Sequence, residues 1–125
     1  DLLLGPAYSI PKILDGCGLK LDDIDVFEIH EAFAGQVLAN LKCLNSNSFA
    51  EKNLMLREKI GEIPTSKLNN WGGSLSIGHP FGATGARLVT TAVNRLIRET
   101  GKFALVSACA GGAFGHAMIL ENCNN

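Results

Sequence analysis

The sequence predicts an α/β fold in which a mixed β-sheet is covered by packed helices. Three observations support this prediction. A short apolar run at residues 26–29 is rich in β-forming residues, which is typical of a buried strand. Residues 83–99 show the period of a long amphipathic helix. Two further apolar runs, at residues 103–108 and 116–120, flank a glycine-rich turn and predict a terminal hairpin. Helices and strands in this order form one layered α/β unit.

The N-terminal segment is predicted to form a short helix at residues 6–14. Pro6 suits the first helical turn, whereas Gly16 and Gly18 suit the region where the helix ends. Residues 21–24 then form a connector with capping residues that leads into the first strand.

Two helices and a loop are predicted between the first strand and the long helix. Residues 31–44 carry apolar side chains over most of the helix circumference, and such a helix is normally buried on all sides. Residues 48–60 carry charges spaced for an exposed helix, and the breakers in residues 61–73 predict a loop. Because one short chain can hardly cover the first of these helices, we expect further protein around it.

The long helix is predicted to end at Gly101 and to bury one apolar face. The residues predicted for that face are Ala86, Val89, Val93, Leu96 and Ile97. The basic cluster from Arg95 to Arg98 falls within the same helical pattern, and we expect it to be a solvated helix face.

The composition limits the function classes. The chain has 125 residues, enough for one domain, and its net charge of −1 argues against nucleic acid as a partner. Its four cysteines form no C-x-x-C pair, so we expect no metal site and no disulfide scaffold. No apolar run reaches the ~20 residues that span a bilayer. The chain begins at Asp1 without an initiator Met, and we expect it to be a segment of a longer protein.

Three segments carry candidate catalytic residues, each between buried elements. His79 stands in Gly78-His-Pro80 just before the long helix, where Pro80 favours an extended His79. An imidazole held there can activate a thiol or stabilise an oxyanion. Cys109 follows a strand and precedes glycines, which suits a thiolate acting as base or nucleophile. His30 lies where a strand meets a helix, a typical functional edge of an α/β sheet.

Each segment also has a structural interpretation. His79 then belongs to a helix-capping loop, Cys109 is a small buried hydrophobic residue, and His30 is a hydrogen-bonded cap. The sequence from His30 is not H-E-x-x-H, so a metalloprotease site is excluded, and the glycine spacing fits neither a dinucleotide nor a Walker A loop. Taken together, the three segments indicate a Cys/His acyl-transfer site.

These segments resemble motifs of the thiolases, specifically of their C-terminal domain. His30-Glu-Ala-Phe-Ala34 resembles the Asn-Glu-Ala-Phe-Ala motif, residues 72–87 resemble the Gly-His-Pro motif, and residues 109–115 resemble the last, cysteine-containing motif. The His at position 30, Asn69-Asn-Trp-Gly-Gly73 and Gly115-His-Ala-Met-Ile119 are similar to the long-chain 3-ketoacyl-CoA thiolases that form the β subunit of mitochondrial trifunctional complexes.

The resemblance implies a thiolase-like layered fold, of which residues 1–125 form the C-terminal half only. It implies an acetyl-CoA C-acyltransferase of fatty-acid β-oxidation, which cleaves 3-ketoacyl-CoA with CoA to acetyl-CoA and a shortened acyl-CoA. CoA and acyl-CoA are then substrates, and no other cofactor is expected. Further implications are a homodimer of full-length chains, an α subunit as partner, and a mitochondrial location, in the matrix or at the inner membrane, rather than a peroxisomal one.

Roles for single residues follow from the same resemblance. His79 activates the nucleophilic cysteine and contributes to an oxyanion hole. Cys109 is acid and base, towards the leaving acetyl-CoA enolate and then the incoming CoA, and both thiols near the imidazole are expected to be poised near neutrality. His30 replaces the Asn that orients a water. The backbone N–H of Gly111 helps to form a second oxyanion hole, and Phe33 lines the acyl pocket.

The departures from the family leave other functions open. The family's nucleophilic cysteine lies in an N-terminal half that this chain lacks, so we expect the isolated chain to be inactive. Ala113 stands where most thiolases have Gly, and it is strained if the turn needs a positive φ. The alternatives are a decarboxylating ketoacyl synthase, which shares the fold, and a non-catalytic truncated domain that binds CoA or a partner subunit.

Overall fold

A mixed β-sheet forms the centre of the protein in the computed structural model, which describes residues 2–124. Within that range the strands are β1 (Val26–Ile29), β2 (Phe103–Ala110) and β3 (Phe114–Glu121), in the order β1-β2-β3. β1 runs parallel to β2, with Ile29 opposite Ser107, and β2 pairs with β3 as an antiparallel hairpin. The predicted mixed sheet with a terminal hairpin is therefore confirmed.

Helices cover both faces of this sheet. In the described part of the chain they are α1 (Gly5–Cys17), α2 (Ala34–Leu44), α3 (Asn47–Phe49), α4 (Ser74–Ile77) and α5 (Thr84–Arg98). A π-helical turn continues α3 over Ala50–Leu54, and 3₁₀ turns lie at Leu21–Asp23 and Thr65–Lys67. None of the helices described is long and apolar enough to cross a membrane.

α1 is longer than predicted and lies against the start of β3. It runs through Gly16 and ends at Gly18, whose φ of 66° is left-handed and whose N–H donates to Asp15 O at 3.0 Å. At its other end, a methyl group added to Gly5 or to Gly115 would collide with the backbone of the other segment. Both glycines are therefore needed where α1 meets the hairpin.

The core has one apolar cluster on each face of the sheet. Phe27 and Ile29 of β1 point towards α1, in a cluster that also contains Ile10, Leu14, Leu21, Ile24, Leu44, Ile63 and Leu105. Val26 points towards α5, in a cluster completed by Leu88, Ala92, Leu96, Ala104 and Val106. The apolar run of β1 is thus explained by burial on both of its faces.

The helix predicted at residues 31–44 begins three residues later and is buried on one side only. Phe33 is its N-cap. The carboxylate of Glu31 accepts a hydrogen bond from Leu75 N–H and does not cap the helix. Its buried residues are Gln36, Val37, Asn40 and Leu44. Leu38 is 60% exposed within residues 2–124, so the expectation that further protein covers this helix stays a prediction.

The exposed helix predicted at residues 48–60 is also shorter in the structure. Helical turns end at Leu54 because Met55 adopts a left-handed φ of 58°. The loop predicted at residues 61–73 is confirmed, apart from the 3₁₀ turn and a single parallel bridge between Leu68 and Phe27.

α5 buries a different face from the one predicted. Its buried residues are Thr84, Leu88, Ala92, Arg95 and Leu96. Val93 and Ile97 are exposed instead, although the periodicity of apolar residues placed them in the core. The buried face combines the apolar residues Leu88, Ala92 and Leu96 with Arg95, whose buried ion pair helps to fix the rotation of the helix.

Arg95 forms that ion pair, and the expectation of a solvated basic face is wrong for it. Its side chain is fully buried, with Nη1 at 2.8 Å from Glu28 Oε1 and Nε at 2.8 Å from Glu99 Oε1. It also donates to Phe27 O at 3.3 Å and Lys67 O at 3.2 Å. Burial lowers the pKa of Arg95, but the carboxylates of Glu99 and Glu28 outweigh burial and raise that pKa above its usual value. One guanidinium thus joins α5, β1 and the loop before α4.

The terminal hairpin differs from the prediction at its turn. β2 continues to Ala110, so Cys109 is the penultimate residue of a strand and not the start of the turn. β3 begins at Phe114, two residues earlier than predicted. The turn contains Gly112 at φ 89° and Ala113 at φ 63°, so Ala113 does occupy the strained left-handed region.

Replacement of Arg95 by Met is expected to lower the free energy of unfolding by about 3–5 kcal/mol, because it leaves the Glu28 carboxylate buried without its partner. Urea unfolding of the full-length protein measures the change. Arg98→Met, on the exposed side of the same helix near the Trp71 ring, is the control and is expected to cost about 1 kcal/mol or less. Equal losses in the two variants would contradict the clamping role of Arg95.

Candidate active site

His30 and Cys109 lie at the same edge of the sheet. His30 directly follows β1, and its backbone N–H donates to Ser107 O at 2.8 Å. Cys109 stands two residues beyond Ser107 on β2. The carboxyl ends of parallel neighbouring strands form the usual position for a site in an α/β sheet. The sequence had placed both residues at strand ends, and the register now places them on adjacent strands.

The structure brings His79 against His30. The centroids of the two imidazole rings are 4.3 Å apart, with an angle of 44° between the ring planes. The ring of Phe81 packs on that of His79, at a centroid distance of 5.0 Å. Two of the predicted catalytic residues, from distant parts of the chain, therefore form one pair.

Thr84, the first residue of α5, holds His79. Its Oγ1 lies 2.6 Å from His79 Nδ1, and the same hydroxyl donates to Pro80 O at 3.4 Å. The direction of the bond between Oγ1 and Nδ1 depends on the tautomer of His79, and a hydroxyl that donates to Pro80 O leaves Oγ1 to accept from His79 Nδ1–H. The Nε2 atom of His79 then carries the lone pair, which is the form that can take a proton from a thiol.

Glu31 and Asn69 anchor the loop that leads to His79, and sequence reasoning missed both. Asn69 Nδ2 donates to Glu31 Oε1 at 2.8 Å, and Asn69 also bonds both backbone groups of Ile29. Glu31 Oε2 accepts from Leu75 N–H at 3.1 Å, and its carboxylate lies so close to Gly73 that a methyl group there would collide with it. The signal in the sequence was the polar Asn69-Asn70 pair shortly before Gly72-Gly73, which was interpreted as a loop and as part of a family motif but not as an anchor.

Ser74 and Arg87 are two further residues that the sequence did not single out. Ser74 Oγ lies 3.1 Å from His30 Nδ1, and Arg87 Nη2 donates to the same oxygen at 3.2 Å. His30 is thus held from the side of α4 and α5 as well as from β1.

The surroundings of His30 favour its neutral form. Burial lowers the pKa of His30, and the neighbouring His79 and the Arg87 guanidinium lower it further, against a weaker opposing effect of Glu31. A neutral imidazole has one N–H donor and one lone pair, so its function depends on which nitrogen carries the hydrogen.

The surroundings of Cys109 favour its protonated thiol. Burial raises the pKa of its thiol above the usual value, and within residues 2–124 its Sγ makes no hydrogen bond to either imidazole. Burial thus disfavours the thiolate in the chain as described, and the expectation that two thiols near the imidazole are poised near neutrality stays a prediction for the complete site. A protonated thiol can still act as the acid of an acid–base pair.

Among the described residues, Gly111 and Phe33 show no hydrogen bond or ring contact with the histidine pair. Phe33 is 64% exposed in front of α2, and its ring stacks on neither imidazole among the described residues. Gly111 is exposed in the hairpin turn, next to the left-handed Gly112 and Ala113. Their roles in an acyl pocket and a second oxyanion hole stay predictions. In the part of the chain that the structure describes, no group of three or more His, Cys, Asp or Glu side chains could hold a metal ion.

The fold and the histidine pair together define the class of protein. Residues 1–122 match the thiolase C-terminal domain, so the chain belongs to the thiolase family. The chain also superimposes on the crystal structure of human mitochondrial 3-ketoacyl-CoA thiolase with a TM-score of 0.82 and 35% identity, covering 98% of this chain and 27% of that one. A structure of the human enzyme in complex with CoA gives a TM-score of 0.81 at 36% identity, over 97% and 26% of the two chains. The thiolase-like fold is confirmed.

Proteins that are similar in sequence point to a more specific class within the thiolase family. The chain is 59% identical to human "Trifunctional enzyme subunit beta, mitochondrial" over 121 residues, which are 97% of this chain and 26% of that protein. It is 58% identical to "Probable 3-ketoacyl-CoA thiolase" of Caenorhabditis elegans, over 97% of this chain and 27% of that protein. The chain thus spans about a quarter of the length of these relatives. The resemblance to the trifunctional β subunits is confirmed.

His30 gives the folded protein a defined pH dependence. Its folded-state pKa lies below the ~6.5 of an unperturbed histidine, so below that pH the unfolded chain binds a proton that the folded chain does not. The free energy of unfolding therefore falls as the pH falls through this window. His30→Asn removes this contribution, and its stability is expected to fall less than that of the wild type between about pH 7.5 and about pH 5.5. Urea unfolding at both pH values measures this, and equal losses in the two proteins would contradict the assignment.

Proposed function

We propose that this chain supplies the acid–base part of a 3-ketoacyl-CoA thiolase, in a protein that cleaves 3-ketoacyl-CoA with CoA in fatty-acid β-oxidation. The observation that carries the proposal is the packing of His79 on His30 at the sheet edge where Cys109 lies. The names of the relatives support the substrate class, since they include subunits of trifunctional enzymes and 3-ketoacyl-CoA thiolases.

The first half of the reaction uses His79 as the base. Its Nε2 lone pair takes the proton of the nucleophilic thiol, which comes from a part of the protein outside this chain. The thiolate attacks the C3 carbonyl of the substrate, and the charge on the oxygen is stabilised by N–H donors on the two imidazoles. The C2–C3 bond then breaks, and its electron pair leaves with the acetyl-CoA enolate. The shortened acyl group stays on the nucleophilic sulfur.

Cys109 completes the two proton transfers. Its S–H protonates C2 of the enolate and releases acetyl-CoA, a step suited to the raised pKa of this thiol. The resulting thiolate takes the proton of the incoming CoA thiol. The CoA sulfur attacks the acyl-enzyme thioester and the shortened acyl-CoA leaves. The released nucleophilic thiolate regains its proton from His79, which restores both groups. No cofactor besides the two CoA substrates takes part. Gly111 N–H and Phe33 have the roles of second oxyanion donor and acyl-pocket wall.

The proposal extends to location and partners. The mitochondrial trifunctional subunits that this chain resembles support a mitochondrial protein in a complex of several subunits. The related structure with bound CoA supports CoA as a ligand. Within this proposal the full-length chain is a homodimer, joined to an α subunit, in the matrix or at the inner membrane.

A second candidate function is a non-catalytic thiolase-fold domain that binds CoA or a partner subunit. One observation favours it: within residues 2–124, Cys109 is the only cysteine at the edge of the sheet where the histidines lie. The other described cysteines, Cys17, Cys43 and Cys123, stand at the end of α1, within α2 and after β3. The two candidates differ in whether the full-length protein turns over a 3-ketoacyl-CoA.

Cys109→Ala in the full-length protein is expected to lower thiolysis of a 3-ketoacyl-CoA by about 100-fold or more, because the enolate loses its acid and CoA its base. Acylation of the upstream cysteine by a simple acyl-CoA is expected to persist, as an added mass in intact-protein mass spectrometry.

Cys17→Ala, at the exposed end of α1, is the matched control and is expected to keep the wild-type rate. Wild-type turnover in Cys109→Ala would refute its role. A wild-type protein that binds CoA without turnover would establish the second candidate. Residues 1–125 alone are expected to show no thiolysis.

A further inference from the structure

We propose that Ser74 and Arg87 are positioning residues that hold His30 in the tautomer protonated at Nε2. His30 then presents an N–H donor to the reacting carbonyl or to a water bound to it. The catalytic meaning of this tautomer rests on the proposed function, whereas the tautomer itself is a property of the folded chain.

The hydrogen bond between Arg87 and Ser74 can have only one direction. A guanidinium has donors only, so Arg87 Nη2 donates to Ser74 Oγ at 3.2 Å. This is the one hydrogen bond of the Arg87 side chain within residues 2–124, because its buried Nε and Nη1 atoms have no partner there. Ser74 Oγ is therefore an acceptor towards Arg87, and its own hydrogen is left for another partner.

The direction of the hydrogen bond between Ser74 and His30 follows from the hydrogen that Ser74 has left. Ser74 is buried, and among the described residues His30 Nδ1, at 3.1 Å, is the only acceptor within reach of its hydroxyl. Were Nδ1 protonated, Ser74 Oγ would accept two hydrogen bonds and its hydrogen would be buried without an acceptor. Ser74 thus donates to Nδ1, and the neutral His30 carries its hydrogen on Nε2.

Neighbouring residues hold Ser74 and His30 in this hydrogen-bonded arrangement. The Glu31 carboxylate touches Gly73 and binds Leu75 N–H, on either side of Ser74. Burial and the two adjacent cationic or imidazole groups, His79 and Arg87, lower the pKa of His30 and keep it neutral. Nε2 has no hydrogen-bond partner within residues 2–124, so it is free to bind a ligand atom.

The two facing histidines are consequently held in opposite tautomers. With Thr84 accepting from His79 Nδ1–H, His79 has a basic Nε2, whereas Ser74 donates to His30 Nδ1, so His30 presents Nε2–H as a hydrogen-bond donor. This division fits the chemistry, because the reaction needs a base for the thiol and a separate donor for the carbonyl oxygen. The side-chain amide of an Asn at position 30 can offer an N–H donor without such support. The hydroxyl of Ser74 and the guanidinium of Arg87, together called the hydroxyl–guanidinium relay, make a histidine at this position an N–H donor as well.

The test is the ring-nitrogen spectrum of the full-length protein labelled with ¹⁵N-histidine, recorded at about pH 7.5, where an unperturbed histidine is neutral. Long-range ¹H–¹⁵N correlations distinguish a protonated ring nitrogen from one with a lone pair, and His30→Asn assigns the signals by removing them. The expected result is a protonated Nε2 on His30 and a protonated Nδ1 on His79. Ser74→Ala is expected to convert His30 into a mixture of both tautomers without changing His79.

Three variants separate positioning from folding. Arg87→Met is expected to shift His30 towards the mixture, and Arg87→Lys, which keeps a donor for Ser74, is expected to restore the wild-type pattern. Thr84→Val is the matched control, since it removes the hydroxyl facing His79 and leaves that of Ser74. In activity, Ser74→Ala is expected to lower kcat on the order of 10-fold at unchanged KM, less than the ~100-fold or more that follows removal of an oxyanion donor.

Each outcome decides the proposal. A wild-type His30 protonated at Nδ1, or at both nitrogens, overturns it, and so does a His30 spectrum that is unaltered in both Ser74→Ala and Arg87→Met. The expected spectra together with no thiolysis by the wild type would support the relay and refute the proposed function, so the two failures are distinguishable.

Discussion

The buried ion pair of Arg95 and Glu28 is the constraint on which the rest of the structure depends. Both side chains are fully buried and their charged atoms are 2.8 Å apart, so α5 can take only the rotation that places Arg95 on β1. His30 stands at the end of β1, and His79 stands just before α5. Fixing the helix on the strand therefore also fixes the two imidazoles against each other, at a distance that neither loop could set alone. The exposed apolar side chains on the opposite side of α5 are a consequence of the same rotation.

Polar groups around the histidine pair hold the two imidazoles in place by a second set of interactions. Glu31 and Asn69 tie the loop before α4 to the end of β1, and the hydroxyls of Ser74 and Thr84 each face one imidazole Nδ1. Burying polar groups is costly unless each has a partner, so a site of this kind holds only when strand, loop and helix are all in place. The hairpin turn with Gly111, by contrast, carries the backbone strain at Ala113.

The sequence was sufficient for elements and residue types that depend on local patterns. The strand at Val26–Ile29, the long helix and the terminal hairpin follow from periodicity and from neighbouring Gly and Pro residues. The neighbouring Gly and Pro residues also singled out His79 and Cys109 as candidates, and the strand–helix junction singled out His30. It was insufficient where a distant charge decides. The face of α5 was wrong because the periodicity of apolar residues takes no account of an arginine that finds Glu28 across the core. The start of α2 was wrong because Glu31 binds Leu75 N–H in place of capping its own helix. The protonation of Cys109 depends on burial, which no motif encodes.

In the proposed function, the C3 carbonyl of the substrate reacts at the His30–His79 pair. A crystal structure of the full-length protein with a bound 3-ketoacyl-CoA or its unreactive analogue tests this most directly. The C3 carbonyl oxygen or its bound water is expected at about 3 Å from His30 Nε2, with His79 Nε2 directed towards the nucleophilic sulfur and Cys109 Sγ towards C2. A thioester bound elsewhere, for example in the cleft of about 690 Å³ between α1 and residues 53–61, would contradict it.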